Sequence, residues 1–546
     1  MSQQLPLQCL EYRLATTPDK IWLSQPVAGH WQDISWYEAD QQARQIAAAL
    51  QAMDCQPGDR VGLLAKNCAQ WFIADLAIMQ AGLVSVPLYP LQSAQSIDYV
   101  LRHSQCKAIF LGNLDEPNKI EAGIPSEVIR IAMSQSNIKA QYQWDELLAQ
   151  HQPISHVHQQ QPNDLLSILY TSGTTGVSKG VMLTAQAFAY AGANVVAEMQ
   201  IGADDQYFSY LPLSHAAERF MVEMSSLYSG GSVGFSESQE TFSADMKHVR
   251  PTIFFSVPRL WTRFQMGVVA QLPQQKLERL LKLPIIGRLV ASKIRKSLGL
   301  DRARFMVSGA AAIPQALLEW YQKLGMTICE GYAMTENFAY GTFNRLGQVR
   351  FGSVGRPMPG CELKISDAGE ILFRSPCLMQ GYYLEPEKTS ETLQDGWLHT
   401  GDKGQVDADG YLRITGRVKD IFKSSKGKYI APAPIEGVIA KNLLIEQVCL
   451  MGSNLDQPLA LIELSSAARA QPRQQLEQAL ETVRVELNQQ LQPHERVSHF
   501  ILVREPWTVD NGCMTPTMKI RRNVLEERFS PEVLNLQAEQ SLYWQQ

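Results

Sequence analysis

The stretch from Gly58 to Tyr89, GDRVGLLAKNCAQWFIADLAIMQAGLVSVPLY, sets the architecture. Gly58-Asp59 breaks the chain, and the apolar run Val61-Gly62-Leu63-Leu64 predicts a short buried strand. Asn67 is placed to cap a helix carrying Trp71, Phe72, Ala74 and Ile78. Gly82 closes that helix, and Leu83 to Tyr89 reads as a second buried strand. Strand, helix, strand at this spacing implies parallel pairing with helices covering both faces. The apolar segment Trp71 to Leu91 carries a single charge, Asp75. A membrane-spanning helix needs about 20 apolar residues, and Gly82, Pro87 and Pro90 interrupt this one. A helix followed by a strand is the better reading, and no transmembrane segment is expected.

The same texture extends outward. Ala39, Ala43, Ile46, Ala47 and Leu50 recur at helical spacing, and strands are predicted at Ile168–Tyr170, Tyr207–Leu213, Ser232–Phe235 and Ile253–Phe255. Past residue 350 turn signals crowd together: Pro359-Gly360, Asp367-Ala368-Gly369, Asp395-Gly396 and Asp409-Gly410. Short strands between such turns predict an antiparallel module. After the polar segment Gly416–Asp420, strands at Gln447–Met451, Leu459–Leu464 and Phe500–Val503 mix with a helix near Gln474–Leu491. That pattern predicts a separate small α+β domain. The fold class is α/β: a large N-terminal domain, 1–418, of parallel α/β subdomains plus a small antiparallel β module, then a small C-terminal domain, 419–546.

Composition excludes several classes. The 546 residues suit about three to five domains or subdomains. With 45% hydrophobic and 19% charged residues, the bulk of the chain can bury cores and should not be disordered. A net charge of −5 argues against a protein whose whole surface grips nucleic acid, and no nucleic-acid partner is expected. The nine cysteines are scattered without a CxxC pair, so neither a zinc site nor a disulfide framework is indicated. The first twenty residues lack a basic region before an apolar one, so a secretory signal is not expected and a cytoplasmic location is.

Five pieces carry chemistry. Tyr170-Thr-Ser-Gly-Thr-Thr-Gly-Val-Ser-Lys-Gly180 follows a predicted strand. Gly173 and Gly176 let backbone N–H groups turn toward an anion, Ser172, Thr174 and Thr175 add hydroxyl donors, and Lys179 adds a charge. It departs from the P-loop pattern, and a Ser/Thr/Gly run alone reads more readily as a flexible linker, a reading that the preceding strand and the flanking Lys-Gly oppose. In Gly331-Tyr-Ala-Met-Thr-Glu336, Tyr332 suits stacking on a base, Thr335 a phosphate, and Glu336 a Mg²⁺ bridging phosphates. Asp402, after Thr400-Gly401, suits a pair of ribose hydroxyls, although an ordinary turn aspartate looks the same. Arg417, with Lys419-Asp420 beyond it, reads alone as a solvated charge cluster. Lys519, after Met514-Thr-Pro-Thr-Met518, is placed to neutralise a carboxylate and a phosphate as they approach, or else is a surface lysine.

In this fixed order the five pieces, with Thr171 opening the first, resemble the AMP-forming adenylating enzymes: acyl-CoA synthetases, adenylation domains of peptide synthetases and firefly luciferase. Pro212–Arg219, Ser256–Trp261, Ser308-Gly309-Ala310-Ala311, Pro386–Thr389 and Lys423–Pro432 resemble the long-chain fatty-acid branch. Ser178 stands where the family usually has Pro, and Ala333 where Gly is common. The resemblance implies ATP, Mg²⁺ and CoA as reactants and cofactor, and a fatty acid as substrate. It implies nucleotide contacts from Thr171 to Gly176, Lys179, Gly309, Tyr332, Asp402 and Arg417, and metal contacts from Thr174 and Glu336. Lys519, Glu336, Thr335 and His215 are the implied catalytic set, His215 shaping the acyl site. Lys419-Asp420 resembles the hinge of a mobile C-terminal domain. Gly427, Lys428 and Tyr429 are implied to line the CoA thiol tunnel, though the loop reads equally as a β-hairpin turn. The acceptor is CoA or a carrier protein bearing the same thiol arm. A luciferase-like oxidase and a non-catalytic nucleotide sensor are the remaining alternatives; the sensor predicts loss of Glu336 or Lys519, and both are present.

One stretch stands outside this set. Between Lys276 and Arg304 lie nine Lys/Arg and two acids, interleaved with Leu280-Leu281, Leu283, Ile285-Ile286 and Leu289-Val290. It reads either as a peripheral membrane contact or as a helical hairpin with a solvated basic face.

Overall fold

The computed structural model describes residues 4–171, 178–418, 420–442, 444–453, 455–515, 519–533, 536 and 540–545. The opening segment folds into strand Arg60–Leu64, helix Ala69–Gln80 and strand Val84–Pro87, and the two strands pair parallel, Val61 opposite Ser85. Gly82 ends the helix with φ +71°, in the left-handed region that costs glycine little. Asn67 is not the cap. Cys68 holds that position without a side-chain bond, and the Ala69 N–H donates instead to Gln25 Oε1 at 3.0 Å. Asn67 Nδ2 is spent on Ser209 Oγ (2.8 Å) and the Leu211 carbonyl (2.6 Å).

Two large sheets flank this helix. One runs Gly381–Tyr382, Lys179–Thr184, Leu165–Thr171, Val84–Pro87, Arg60–Leu64, Cys106–Leu111, Ile129–Ala132, Tyr142–Gln143, parallel from Leu165–Thr171 onward. The other holds nine strands, with Ile328–Tyr332, Phe305–Ser308, Ile253–Ser256, Gln206–Ser209, Ser232–Phe235 and Ile21–Val27 parallel in that order. Helix Ala69–Gln80 touches strands of both, which is why all of it but Gln70 is buried. The strand expected over Tyr207–Leu213 stops at Ser209, because the chain turns there into the loop that carries His215.

The charge inside the apolar segment is compensated across this layer. Asp75 is fully buried and pairs with Arg219, itself fully buried in a single wide helical turn, Arg219–Met224. Arg219 Nε also donates to Glu223 (2.8 Å), and its Nη1 to Ser167 Oγ (2.9 Å) and Ser85 Oγ (3.3 Å). Its guanidinium lies 4.9 Å from the Phe188 ring centroid and 5.3 Å from that of Trp71.

The turn-rich region forms the expected antiparallel sheet, five strands including Glu370–Arg374, Trp397–Val406 and Leu412–Arg417. The last region is α+β: Ile445–Met451 pairs antiparallel with Leu459–Leu464, which pairs parallel with Phe500–Leu502, beside helix Arg473–Gln490. Leu459–Leu464 is buried throughout because apolar clusters cover both faces of this sheet. All nine cysteines are free thiols. Among the described residues no helix is long and apolar enough to cross a membrane.

Candidate active site

Strands Leu165–Thr171 and Lys179–Thr184 pair antiparallel with Thr171 opposite Lys179, the glycine and hydroxyl run lying between them in sequence. Its Ser172, Gly173, Thr174, Thr175 and Gly176 lie outside the described residues. Thr171 and Lys179 mark its base, and the Tyr99 hydroxyl donates to the Ser178 carbonyl at 3.1 Å. Gly381–Tyr382 adds to the outer edge, Tyr382 opposite Val181. That pairing brings the Tyr382 ring centroid within 4.6 Å of Lys179 Nζ and lets its hydroxyl donate to Glu336 Oε1 at 2.8 Å. Glu336 is buried in the single turn Thr335–Asn337, and its own carbonyl accepts the Met379 N–H at 2.8 Å.

Strand Ile328–Tyr332 delivers Tyr332 to the C-terminal edge of the nine-stranded sheet. Its hydroxyl donates to Asp402 Oδ2 at 2.6 Å. Asp402 pairs across the small sheet with Arg417, and Arg417 Nε lies 3.1 Å from Asp402 Oδ1. Burial, reinforced by the Asp402 charge, pushes the Tyr332 phenol well above its usual range, so it remains a donor.

Lys519 comes from the C-terminal region, where the Thr515 hydroxyl accepts its N–H at 3.1 Å. Lys519 is exposed to solvent, although protein crowds its ammonium. Desolvation, then Arg417, lower its pKa, while Asp402 and Glu336 act to raise it. Burial, then the Lys519 charge, bring His215 down to about 4. The imidazole is therefore neutral at physiological pH. Its Nδ1 accepts the Ala217 N–H at 3.1 Å, which leaves the ring proton on Nε2.

Beside His215 and Tyr332 opens a cleft of about 610 Å³, its open mouth included. His215, Gly309, Tyr332, Ala333 and Thr335 line it, and the rest of its wall is mainly apolar, with Phe220, Met221, Phe255, Phe343 and Met358. The fold matches known proteins. An AMP-binding enzyme family model covers residues 10–383, and its C-terminal domain model covers 419–541. The chain belongs to the AMP-binding enzyme family. Among relatives of this family, long chain acyl-CoA synthetase 7, peroxisomal, of Arabidopsis thaliana is 31% identical, over 94% of this chain and 82% of that protein. The long-chain-fatty-acid–CoA ligase FadD15 of Mycobacterium bovis is 29% identical over 94% of each. The crystal structure of the anthranilate CoA ligase AuaEII in complex with anthranoyl-AMP shares the fold, with TM-score 0.82 at 23% identity over 98% of this chain and 99% of that one.

For this AMP-binding enzyme, the fold gathers His215, Glu336, Tyr332, Asp402, Arg417 and Lys519 from segments far apart in sequence. It does not bring the Gly427–Tyr429 segment to the cleft. Gly427, Lys428 and Tyr429 sit exposed on a hairpin, Phe422–Lys423 paired with Tyr429–Ile430. Asp420 lies beyond the small sheet, within electrostatic reach of Arg522, and Lys419 is outside the described residues. Among the described residues no cluster of three or more His, Cys, Asp or Glu could hold a metal unaided. Mg²⁺ carried by a nucleotide needs only one or two carboxylates, its other ligands being phosphate and water. A single carboxylate braced by Tyr382 fits that requirement.

Sequence reasoning missed two residues. Tyr382 acquires its place only through strand pairing, and nothing local marks it. Glu218 has no mark of its own beyond the resemblance of Pro212–Arg219 to the long-chain branch. It is buried, accepts from Ser209 Oγ (2.9 Å) and the Tyr210 N–H (3.2 Å), and so ties the strand end to the turn bearing His215. An acidic residue directly after His-Ala-Ala was the available signal.

Proposed function

We propose that this chain is an AMP-forming ligase that activates a long-chain fatty acid with ATP and passes the acyl group to CoA. One observation carries the reading: an apolar cleft ends at a polar cluster in which Lys519, Arg417, Asp402, Glu336 and neutral His215 converge. The names of the Arabidopsis and Mycobacterium relatives support the same substrate and acceptor.

In the first step a carboxylate oxygen attacks the α-phosphorus of ATP, the bond to the β-phosphate oxygen breaks, and pyrophosphate leaves with its electron pair. The obstacle is an anion approaching a polyanion. Lys519, Lys179 and the N–H and hydroxyl donors from Thr171 to Gly176 supply opposite charge where negative charge accumulates. Glu336 and Thr174 would hold Mg²⁺, which when bound offsets phosphate charge. Asp402 holds the ribose, with Arg417 beside it; Tyr332 lies against the adenine, Gly309 leaves room for the nucleotide, and Thr335 bonds a phosphate. His215 presents Nε2–H to the acyl site without adding charge.

In the second step the CoA sulfur attacks the acyl carbonyl carbon and AMP leaves. The C-terminal domain, 419–546, turns about Lys419-Asp420, withdrawing Lys519 and offering the hairpin at Gly427, Lys428 and Tyr429 to the thiol arm. We read the present arrangement, with Lys519 within electrostatic reach of Asp402 and Glu336 and the hairpin facing solvent, as the adenylating state. A peripheral contact with lipid belongs to the same reading, since long-chain fatty acids partition there.

The test separates the half-reactions. The full chain should release AMP and pyrophosphate with long-chain acids in a panel from short to very long. Lys519→Ala should lose ATP–pyrophosphate exchange while still converting presynthesised acyl-adenylate and CoA to thioester. Unchanged exchange in that variant would refute the role of Lys519. Activity confined to short or aromatic acids would refute the substrate class.

A further inference from the structure

The basic stretch between Lys276 and Arg304 folds as two helices, Gln274–Leu281 and Pro284–Ser297, joined by a two-residue turn. Gly287 allows the tight return, since a Cβ there would come within 2.7 Å of the Leu281 carbonyl oxygen. The inner face is anchored: Leu277, Ala291 and Ile294 are buried with Trp261, Leu317 and Tyr321. Trp261 lies on helix Pro258–Gln271, which directly follows the strand that brings Phe255 to the cleft.

The outer face is left bare. Leu283, Ile285, Ile286 and Leu289 are all exposed, Ile285 at 77% and Leu289 at 66%. Nowhere else among the described residues do four large exposed apolar side chains fall within seven positions. Anchored helices do not need this: Ile285 and Leu289 sit one turn apart, on the side opposite the buried row Gly287, Ala291 and Ile294. Lys276, Arg279, Lys282, Arg288 and Lys293 are exposed on these two helices and the turn between them, none in an ion pair among the described residues, while Lys296 lies within electrostatic reach of Asp301. A bare apolar tip on helices that carry such cations matches one kind of partner, a bilayer surface with anionic headgroups. An acidic protein would satisfy the charges and leave the apolar tip without a use.

We infer that this hairpin docks the enzyme on anionic lipid, with Leu283, Ile285, Ile286 and Leu289 entering the headgroup region and the flanking lysines and arginines meeting lipid phosphates. The surface stands on its own features; only its use, collecting a substrate from the bilayer, rests on the fatty-acid reading.

Flotation of the full chain with phosphatidylcholine vesicles, with and without phosphatidylglycerol, tests it. The wild type should float with the anionic vesicles, and not with phosphatidylcholine alone. Each Lys or Arg near an anionic surface raises partitioning about five-fold. Lys282→Ala with Arg288→Ala should therefore weaken binding about 25-fold. Ile285→Ser with Leu289→Ser should weaken it at least about tenfold, because buried apolar area is lost. All of these side chains are exposed, so both variants should keep the wild-type melting temperature and full activity on a short, water-soluble fatty acid. That readout keeps a failed docking surface distinct from a failed substrate assignment. Equal recovery of wild type with both vesicles would overturn the proposal. So would variants that float like wild type, or binding of an acidic carrier protein by this face in place of vesicles.

Discussion

Replacing Glu218 by Gln should stabilise this protein, and by an amount that grows with pH. The Glu218 side chain is almost wholly buried, and its Oε1 accepts from Ser209 Oγ and the Tyr210 N–H, with Asn67 Nδ2 at 3.4 Å. Its Oε2 has no hydrogen-bond partner among the described residues. Burial outweighs these bonds and pushes the carboxyl up from 4.5 to about 8. The folded protein then holds a proton that the unfolded chain has released above pH 4.5. An acid raised in this way destabilises the fold progressively as pH climbs from its unfolded to its folded value. At about 1.4 kcal/mol per pH unit, the cost is near zero at about pH 4, about 3 kcal/mol at neutrality, and about 5 kcal/mol above pH 8. Gln reproduces the shape of the protonated acid, keeps the acceptor on Oε1 and never ionises in the unfolded chain. Urea unfolding of both proteins from about pH 5 to about pH 9 should show curves that nearly meet in acid and diverge in base, the variant above. Parallel curves would mean that Glu218 is a carboxylate in the native state and that the three donors, not burial, govern it.

Two further outcomes follow from the same geometry. Tyr332→Phe removes the hydroxyl that donates to Asp402 at 2.6 Å. Bonds to charged groups contribute about 1.5–3 kcal/mol, so the KM for ATP should rise roughly ten- to a hundred-fold, with less change for the fatty acid; equal effects on both substrates would remove Asp402 from the ribose site. Arg219→Met leaves Asp75 and Glu223 buried without their cation. Breaking such a cluster costs about 3–5 kcal/mol, whereas replacing all three residues by apolar ones of similar volume should recover most of it. Thermal denaturation of the single and triple variants distinguishes a needed charge cluster from a well-packed but dispensable one.

What the sequence made legible was whatever short-range rules control. The alternation around Gly58–Tyr89 survives because strand, helix and glycine stop are each set by residues a few positions apart. The dense turns after residue 350 gave the antiparallel sheet for the same reason, whereas Lys519, opening the basic run Lys519-Ile-Arg-Arg522, is marked only by the family resemblance. The Asn67 cap failed where two uses competed for one side chain. A capping bond to a neighbouring N–H is local, yet Asn67 reaches Leu211, 144 positions away, and Gln25 supplies the missing acceptor from 44 positions away. No window of sequence contains both choices.

Asp75 shows the limit most clearly. Its charge in an apolar segment was visible at once, and a charge there must be paired, neutral or wrong. The pattern gave no way to name Arg219, because the partner is chosen by how the two large sheets stack around one helix. Tyr382 is the same case at the site itself: it joins Lys179 to Glu336 only because a two-residue strand adds to the edge beside Val181. Long-range pairing therefore decides the cluster that positions the site, while local chemistry decides which residues are offered to it. Substitutions at Asp75, Arg219 or Tyr382 should accordingly disturb activity through position, and those at Lys519 or Asp402 through chemistry, a division that KM against kcat measurements on the purified variants would expose.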